Sequence, residues 1–156
     1  MTAESEGPAR PAITVHGLAQ AEAALAAAGP AGVLLLSPPD AASRGGTAWF
    51  LALVEAARAA HPDTACEAAI DCGIEAGAAL GALRAGAATV ILDGTCPAFP
   101  AVASAAAEMG ATLWPKRPAS LDLDGADLRR RDTLKKIADW LACHRIATGS
   151  LQAPAR

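Results

Sequence analysis

The chain has 156 residues, of which 53% are hydrophobic and 3% aromatic, and its net charge is −3 at pH 7. A chain of this length is predicted to form one domain, and its slightly acidic balance provides no basic surface for nucleic acid. All apolar runs fall short of the ~20 residues that a membrane helix needs. We therefore expect neither a nucleic-acid partner nor a membrane.

The cysteines and the two chain ends bear on location and domain organisation. The four cysteines have no paired spacing, and residues 1–12 lack the apolar segment of a signal peptide. Such cysteines are typical of reducing compartments, so a cytoplasmic protein is expected. We expect a disordered arm over residues 1–12, an α/β domain over 13–146 and a flexible tail over 147–156.

Short apolar runs alternate with alanine-rich segments along the chain. Strands are predicted to begin near positions 13, 33, 67, 89 and 112, and residues 121–123 are extended enough to form an edge strand. Helices are predicted over residues 18–28, 47–60, 74–85, 98–109 and 127–144. Strict alternation of strands and helices indicates an α/β fold with a parallel sheet.

The segment from 67 to 97 is a βαβ unit around which the other elements are arranged. Two apolar runs end in Asp71 and Asp93, and a helix rich in small residues lies between them. Gly77 and Gly81 lie on one face of this helix, where each glycine costs up to about 1 kcal/mol relative to alanine. Close packing would explain them, either against the sheet or against a second subunit.

The joints that lead from a helix into the next strand share one pattern. Gly86-Ala87-Ala88-Thr89-Val90 and its counterparts near residues 30 and 110 resemble the βα units of TIM-barrel phosphate-binding enzymes, such as thiamine-phosphate synthase or the small aldolases. The resemblance covers residues 30–115, and a full barrel needs about 250 residues. We therefore expect a single three-layer domain with a four- or five-stranded, mainly parallel sheet, either flavodoxin-like or a half-barrel.

Ligands of such sheets bind beyond the carboxyl ends of the strands. Asp71, Asp93 and Lys116 follow strand ends and are the catalytic candidates, since two neighbouring carboxylates and a lysine can transfer protons or form an imine. In the alternative interpretation each aspartate caps the following helix, and Lys116 is solvated beside Arg117. Further ligand-binding candidates at the same edge are Ser37, Cys72, Gly94 and Thr95.

A second candidate lies in the loop Ser43-Arg44-Gly45-Gly46-Thr47. Two glycine N–H groups before a helix can converge on an anion, and Arg44 could add a charged contact. The alternative is an ordinary loop in which Thr47 is the N-cap. Cys72 and Cys96 are predicted to share the strand-end rim, but no C-x-x-C motif accompanies them, and no metal site is predicted.

These features support two functional hypotheses. In the first, the domain binds or acts on a small anionic metabolite, phosphorylated metabolites included, at the carboxyl ends of its strands. In the second, it is a non-catalytic module that assembles with itself or a partner. Trp49 and Phe50 are adjacent on one helix, so one of them should be exposed and available to a homodimer interface. The sequence does not identify a cofactor.

Overall fold

The computed structural model describes residues 8–149, with side chains up to 145. Its strands are β1 (Ala12–Thr14), β2 (Val33–Leu36), β3 (Cys66–Asp71), β4 (Thr89–Ile91), β5 (Thr112–Trp114) and β6 (Ser120–Asp122). Its helices are α1 (Leu18–Ala28), α2 (Ala41–Arg44), α3 (Thr47–Ala60), α4 (Ala76–Arg84), α5 (Phe99–Glu108) and α6 (Arg131–Gly149), and a 3-10 turn covers Gly29–Ala31. Most of the predicted arm and tail lie outside the described residues.

The predicted α/β class with one parallel sheet is confirmed. The strands form a single sheet in the order β5-β4-β3-β2-β1-β6, and every neighbouring pair is parallel. The sheet has six strands rather than four or five, because the extended segment near residue 121 pairs with β1 at the edge. β4 lies one strand in from the β5 edge.

The last helix and the loop before α3 differ most from the prediction, whereas α4 and α5 are only one or two residues shorter at their ends. The last helix begins at Arg131 rather than at 127, because the Arg130 N–H closes a turn on the Asp127 carbonyl at 3.2 Å. The same helix continues to Gly149, so it includes the first residues of the predicted tail. The first two residues of the predicted loop 43–47 belong to α2.

Alternate strand residues pack into two separate cores. The first, the main core, contains the side chains of one face of the sheet together with buried helix residues such as Phe50 and Leu25. The second, the concave-face core, contains strand residues only: Ala12, Leu34, Leu36, Ala69, Ile91 and Trp114. Trp114 is 9% exposed and the other five less, so this face is buried although no helix residue belongs to its cluster.

The connection from β5 to β6 explains how a face without helices is buried. These two strands lie at opposite edges of the sheet, and five strand spacings of a flat sheet amount to about 24 Å. The chain from Trp114 to Ser120 can span at most about 22 Å, and Ser120 also lies further back along the strand direction. The sheet must therefore curl until its two edges approach each other.

The order of β1 to β5 across the sheet is also their order in the chain. A flavodoxin-like sheet has the order 2-1-3-4-5, so this order matches the half-barrel alternative. Right-handed crossovers between successive strands place their helices on one face of the sheet, which agrees with the helix-free concave-face core. The resemblance to TIM-barrel units in particular stays a prediction.

The glycines of α4 do not pack against the sheet. Gly77 and Gly81 are exposed, and a Cβ atom on either would meet no heavy atom within 4 Å. The helix instead buries Ala79, Ala82 and Leu83. The first explanation of the two glycines, close packing against the sheet, is therefore wrong, and the second-subunit explanation stays a prediction.

Candidate functional site

An open cleft lies beyond the carboxyl ends of β3, β4 and β5. Its volume is about 530 Å³, and its lining includes four charged side chains, two of each sign: Asp71, Asp93, Lys116 and Arg117. The remaining lining residues are Gly73, Ile91, Gly94, Thr95 and Pro115. The structure thus brings Asp71, Asp93, Lys116, Gly94 and Thr95 of the predicted set into one cleft.

Arg117 holds the ends of three strands together across the concave face. Its guanidinium donates through Nη1 to Asp71 Oδ2 at 2.8 Å, and through Nη2 to Thr14 Oγ1 at 2.8 Å and to the Ser37 carbonyl at 2.7 Å. These acceptors belong to the ends of β3, β1 and β2. Thr14 is fully buried and shares a further 2.7 Å hydrogen bond with Ser120, so the network also reaches β6.

Both carboxylate oxygens of Asp71 accept hydrogen bonds. Oδ1 accepts the Gly73 N–H at 2.8 Å and the Asp40 N–H at 3.3 Å, and Oδ2 accepts from Arg117. The residue is 5% exposed. Its cation is thus Arg117, not Lys116. Its two N–H donors, Gly73 and Asp40, lie outside α4, whose N-cap is Glu75 and which has no side-chain cap. The interpretation that Asp71 caps the following helix is therefore wrong, and the residue borders the cleft.

Asp93 differs from Asp71 in both exposure and partners. Its Oδ1 accepts the Thr95 N–H at 2.8 Å and the Thr95 hydroxyl at 2.8 Å. These hydrogen bonds, first the backbone one and then the side-chain one, hold the pKa of Asp93 below its usual range, so the carboxylate is ionised at neutral pH. Oδ2 accepts no hydrogen bond from the described residues.

Lys116 is the second open charge of the cleft. It is exposed, and no ion pair or hydrogen bond joins it to any other described residue. Ile91 and Trp114 are the last paired residues of β4 and β5, so Asp93 and Lys116 each lie two residues beyond this pair. The Gly94 N–H donates to the Pro115 carbonyl at 2.9 Å and keeps the two segments side by side.

Three predicted binding residues have structural roles: Ser37 and Cys72 lie outside the cleft lining, and Gly94 has a structural role in addition to lining the cleft. Ser37 is fully buried, and its hydroxyl accepts the Asp71 N–H at 2.9 Å. Cys72 lies in the main core, where burial and the neighbouring Asp71 charge raise the pKa of its thiol to about 12. A Cβ on Gly94 would lie 3.0 Å from Pro115 Cβ, so this glycine allows the close approach of the two segments.

The predicted anion loop lies away from the cleft. Arg44, Gly45, Gly46 and Thr47 are absent from the cleft lining. The N–H groups of Gly45 and Gly46 both donate to the Ala41 carbonyl, at 2.9 and 3.0 Å, because α2 ends there. The N-cap of α3 is Gly46, and Thr47 is the first helical residue. Neither glycine N–H is free for an anion.

The residue that sequence reasoning missed is Arg117. It was regarded as half of a solvated pair with Lys116, since two adjacent cations usually face water. The available signal was the five-residue connection between two strands, Pro115 to Ala119. Parallel strands normally need a crossover of a dozen or more residues. A connection of only five residues must therefore cross the open face of the sheet, and Arg117 lies in its middle.

A smaller cluster occupies the opposite edge of the sheet. His16 Nε2 lies 2.7 Å from Asp122 Oδ1, which joins the ends of β1 and β6. Burial raises the pKa of Asp122, but the Asp124 N–H and His16 together lower it by a larger amount. The pKa of Asp122 is therefore below its usual range. Among the described residues no group of three or more acidic, histidine or cysteine side chains could hold a metal ion.

Comparisons with known proteins leave the site to be interpreted from its own geometry. No protein-family model matches the chain, and no curated protein matches it. Within residues 8–149, no helix combines the length and the apolar character needed to cross a membrane.

Proposed function

We propose that the domain binds a small anionic metabolite, phosphorylated metabolites included, in the cleft at the carboxyl ends of β3, β4 and β5. The observation that carries the proposal is the exposed Lys116 in a cleft of about 530 Å³, where it has no partner among the described residues. A cleft of this size matches the range of small-molecule sites, and it lies where parallel α/β sheets bind ligands.

Arg117 supports the same proposal from the floor of the cleft. A guanidinium has five N–H donors, and three of them are used by Asp71, Thr14 and Ser37. The Nε–H and the second Nη1–H donate to no described residue. Two donors are thus left for an anion, on a side chain that three strands hold in place.

The function is tested by the affinity of Lys116→Ala for anions. Inorganic phosphate and small phosphate esters should raise the melting temperature of the wild-type protein, since a ligand stabilises the folded state by RT ln(1 + [L]/Kd). Loss of one charge-assisted contact should weaken binding at least about tenfold, as measured by titration calorimetry.

Lys136→Ala is the matched control, because Lys136 is an exposed lysine of α6 that does not line the cleft. It should bind as tightly as the wild type. If no anion binds the wild type, or if Lys116→Ala binds as tightly as Lys136→Ala, the proposed function is wrong.

A second candidate function is assembly with another copy of the chain. Phe50 is fully buried whereas Trp49 is 40% exposed, as the sequence predicted for one of the pair, and the exposed Gly77 and Gly81 leave a low-relief helix face. We expect a homodimer in sedimentation experiments at high micromolar concentration, and Trp49→Ser should shift it toward monomer. Sedimentation of the wild type as a clean monomer would exclude this function.

A further inference from the structure

The four charges of the cleft fall into one closed pair and two open charges. Arg117 and Asp71 form an ion pair at 2.8 Å, and both side chains are largely buried. They neutralise each other and add no net charge to the cleft. The open charges are Lys116 and Asp93, which form no ion pair with each other or with any other described residue.

The two open charges differ in what they can offer a ligand. Lys116 has three N–H donors and no acceptor. Asp93 keeps Oδ2 without a hydrogen bond in the described part of the chain, while its Oδ1 is occupied by Thr95. Its carboxylate is ionised, as derived above, so Oδ2 accepts hydrogen bonds and donates none.

The two open charges lie on neighbouring segments, which follow β4 and β5 and line the same cleft. Asp93 and Lys116 both line the cleft of about 530 Å³, and the 2.9 Å hydrogen bond from the Gly94 N–H to the Pro115 carbonyl keeps their two segments adjacent. A single small molecule in the cleft would therefore meet a cation and an anion at once. A simple anion would be attracted by Lys116 and repelled by Asp93.

We propose that the ligand is a small dipolar molecule, with an anionic group that Lys116 binds and a hydroxyl or ammonium group that donates to Asp93 Oδ2. This inference rests on the proposed function and narrows its ligand class. Hydroxylated phosphate esters, amino-phosphates and amino acids carry this pair of groups. Inorganic phosphate and simple alkyl phosphates carry only the anion.

Two pairs of matched probes test the ligand class on the full chain. Glycerol 3-phosphate differs from propyl phosphate only by its hydroxyl groups, and phosphoethanolamine differs from ethyl phosphate only by its ammonium group. We expect the first member of each pair to bind at least about tenfold more tightly, the contribution of one hydrogen bond to a charged acceptor. Titration calorimetry or amide chemical-shift titration measures the four affinities.

The Asp93→Asn variant tests whether Asp93 causes the preference for dipolar ligands. Asparagine is also favoured in turns of this type, so the fold should be kept, and the advantage of phosphoethanolamine over ethyl phosphate should fall to less than about threefold because the charge is lost. Asp63→Asn, an exposed aspartate outside the cleft lining, should keep the full advantage.

The outcomes separate the two proposals. If the alkyl phosphates bind as tightly as their dipolar partners, or if Asp93→Asn keeps the full advantage, the dipolar ligand class is wrong while anion binding stands. If none of the four probes binds the wild type at millimolar concentration, the proposed function itself fails.

Discussion

Arg117→Met should lower the free energy of unfolding by about 3 kcal/mol, the lower end of the range for breaking a buried ion pair. The variant leaves the Asp71 carboxylate, which is 5% exposed, without its cation. It also removes the donors to Thr14 and to the Ser37 carbonyl. The lower end applies because the Arg117 side chain is 24% exposed, so water partly replaces it.

Urea denaturation at pH 7 measures this loss, with Arg129→Met as the matched control. Arg129 also pairs with an aspartate, Asp127, but its side chain is 92% exposed, so its loss should cost no more than about 1 kcal/mol. Adding Asp71→Asn to Arg117→Met should restore part of the stability, since the buried charge is removed as well. Equal losses in Arg117→Met and Arg129→Met would show that the network does not stabilise the sheet.

The elements that could be predicted from the sequence are those with local signals. The predicted bounds of α1 and α3 match the structure, because alanine-rich runs end at Gly29 and at His61-Pro62. β2 begins at its predicted position, Val33, because Gly32 precedes a run of four apolar residues that ends before Ser37-Pro38. In each case the residues that start or stop the element are its own chain neighbours.

The pairing of β6 and the closure at Arg117 depend on distant contacts. Ser120, Leu121 and Asp122 form three residues of strand with no helix before them, and only pairing with Ala12 to Thr14 makes them part of the sheet. Likewise, nothing in the adjacent pair Lys116-Arg117 indicates which cation faces the interior. The curl of the sheet decides this, and the curl depends on all six strands.

The buried face of α4 could not be predicted because the residues on its different faces differ too little in polarity. Small or apolar residues occur around its whole circumference, so no stripe distinguishes the side that meets the sheet. One of the two explanations placed the glycines on that side, whereas the helix buries Ala79, Ala82 and Leu83. The candidate site was predicted better, because strand ends bring Asp71, Asp93 and Lys116 to one edge whatever the curl.

Trp114→Ala should lower the free energy of unfolding by about 3 to 5 kcal/mol, the range for truncating a buried aromatic side chain. Trp114 is the largest side chain of the concave-face core, and Ile91, its partner on β4, belongs to the same core. That core contains no helix residue, so no helix can shift to fill the cavity that the truncation leaves. Trp114→Phe keeps most of the volume and should cost less than the alanine variant.

Trp49→Ala is the control for the loss of a tryptophan, because Trp49 is 40% exposed and belongs to neither core. Its truncation should cost no more than about 1 kcal/mol. Urea denaturation followed by circular dichroism compares the variants without relying on the fluorescence of the remaining tryptophans. If the sheet is curled around this core, the loss of unfolding free energy should be largest for Trp114→Ala, smaller for Trp114→Phe and smallest for Trp49→Ala. If Trp114→Ala costs no more than Trp49→Ala, the concave face is not a packed core, and the sheet cannot be curled around it.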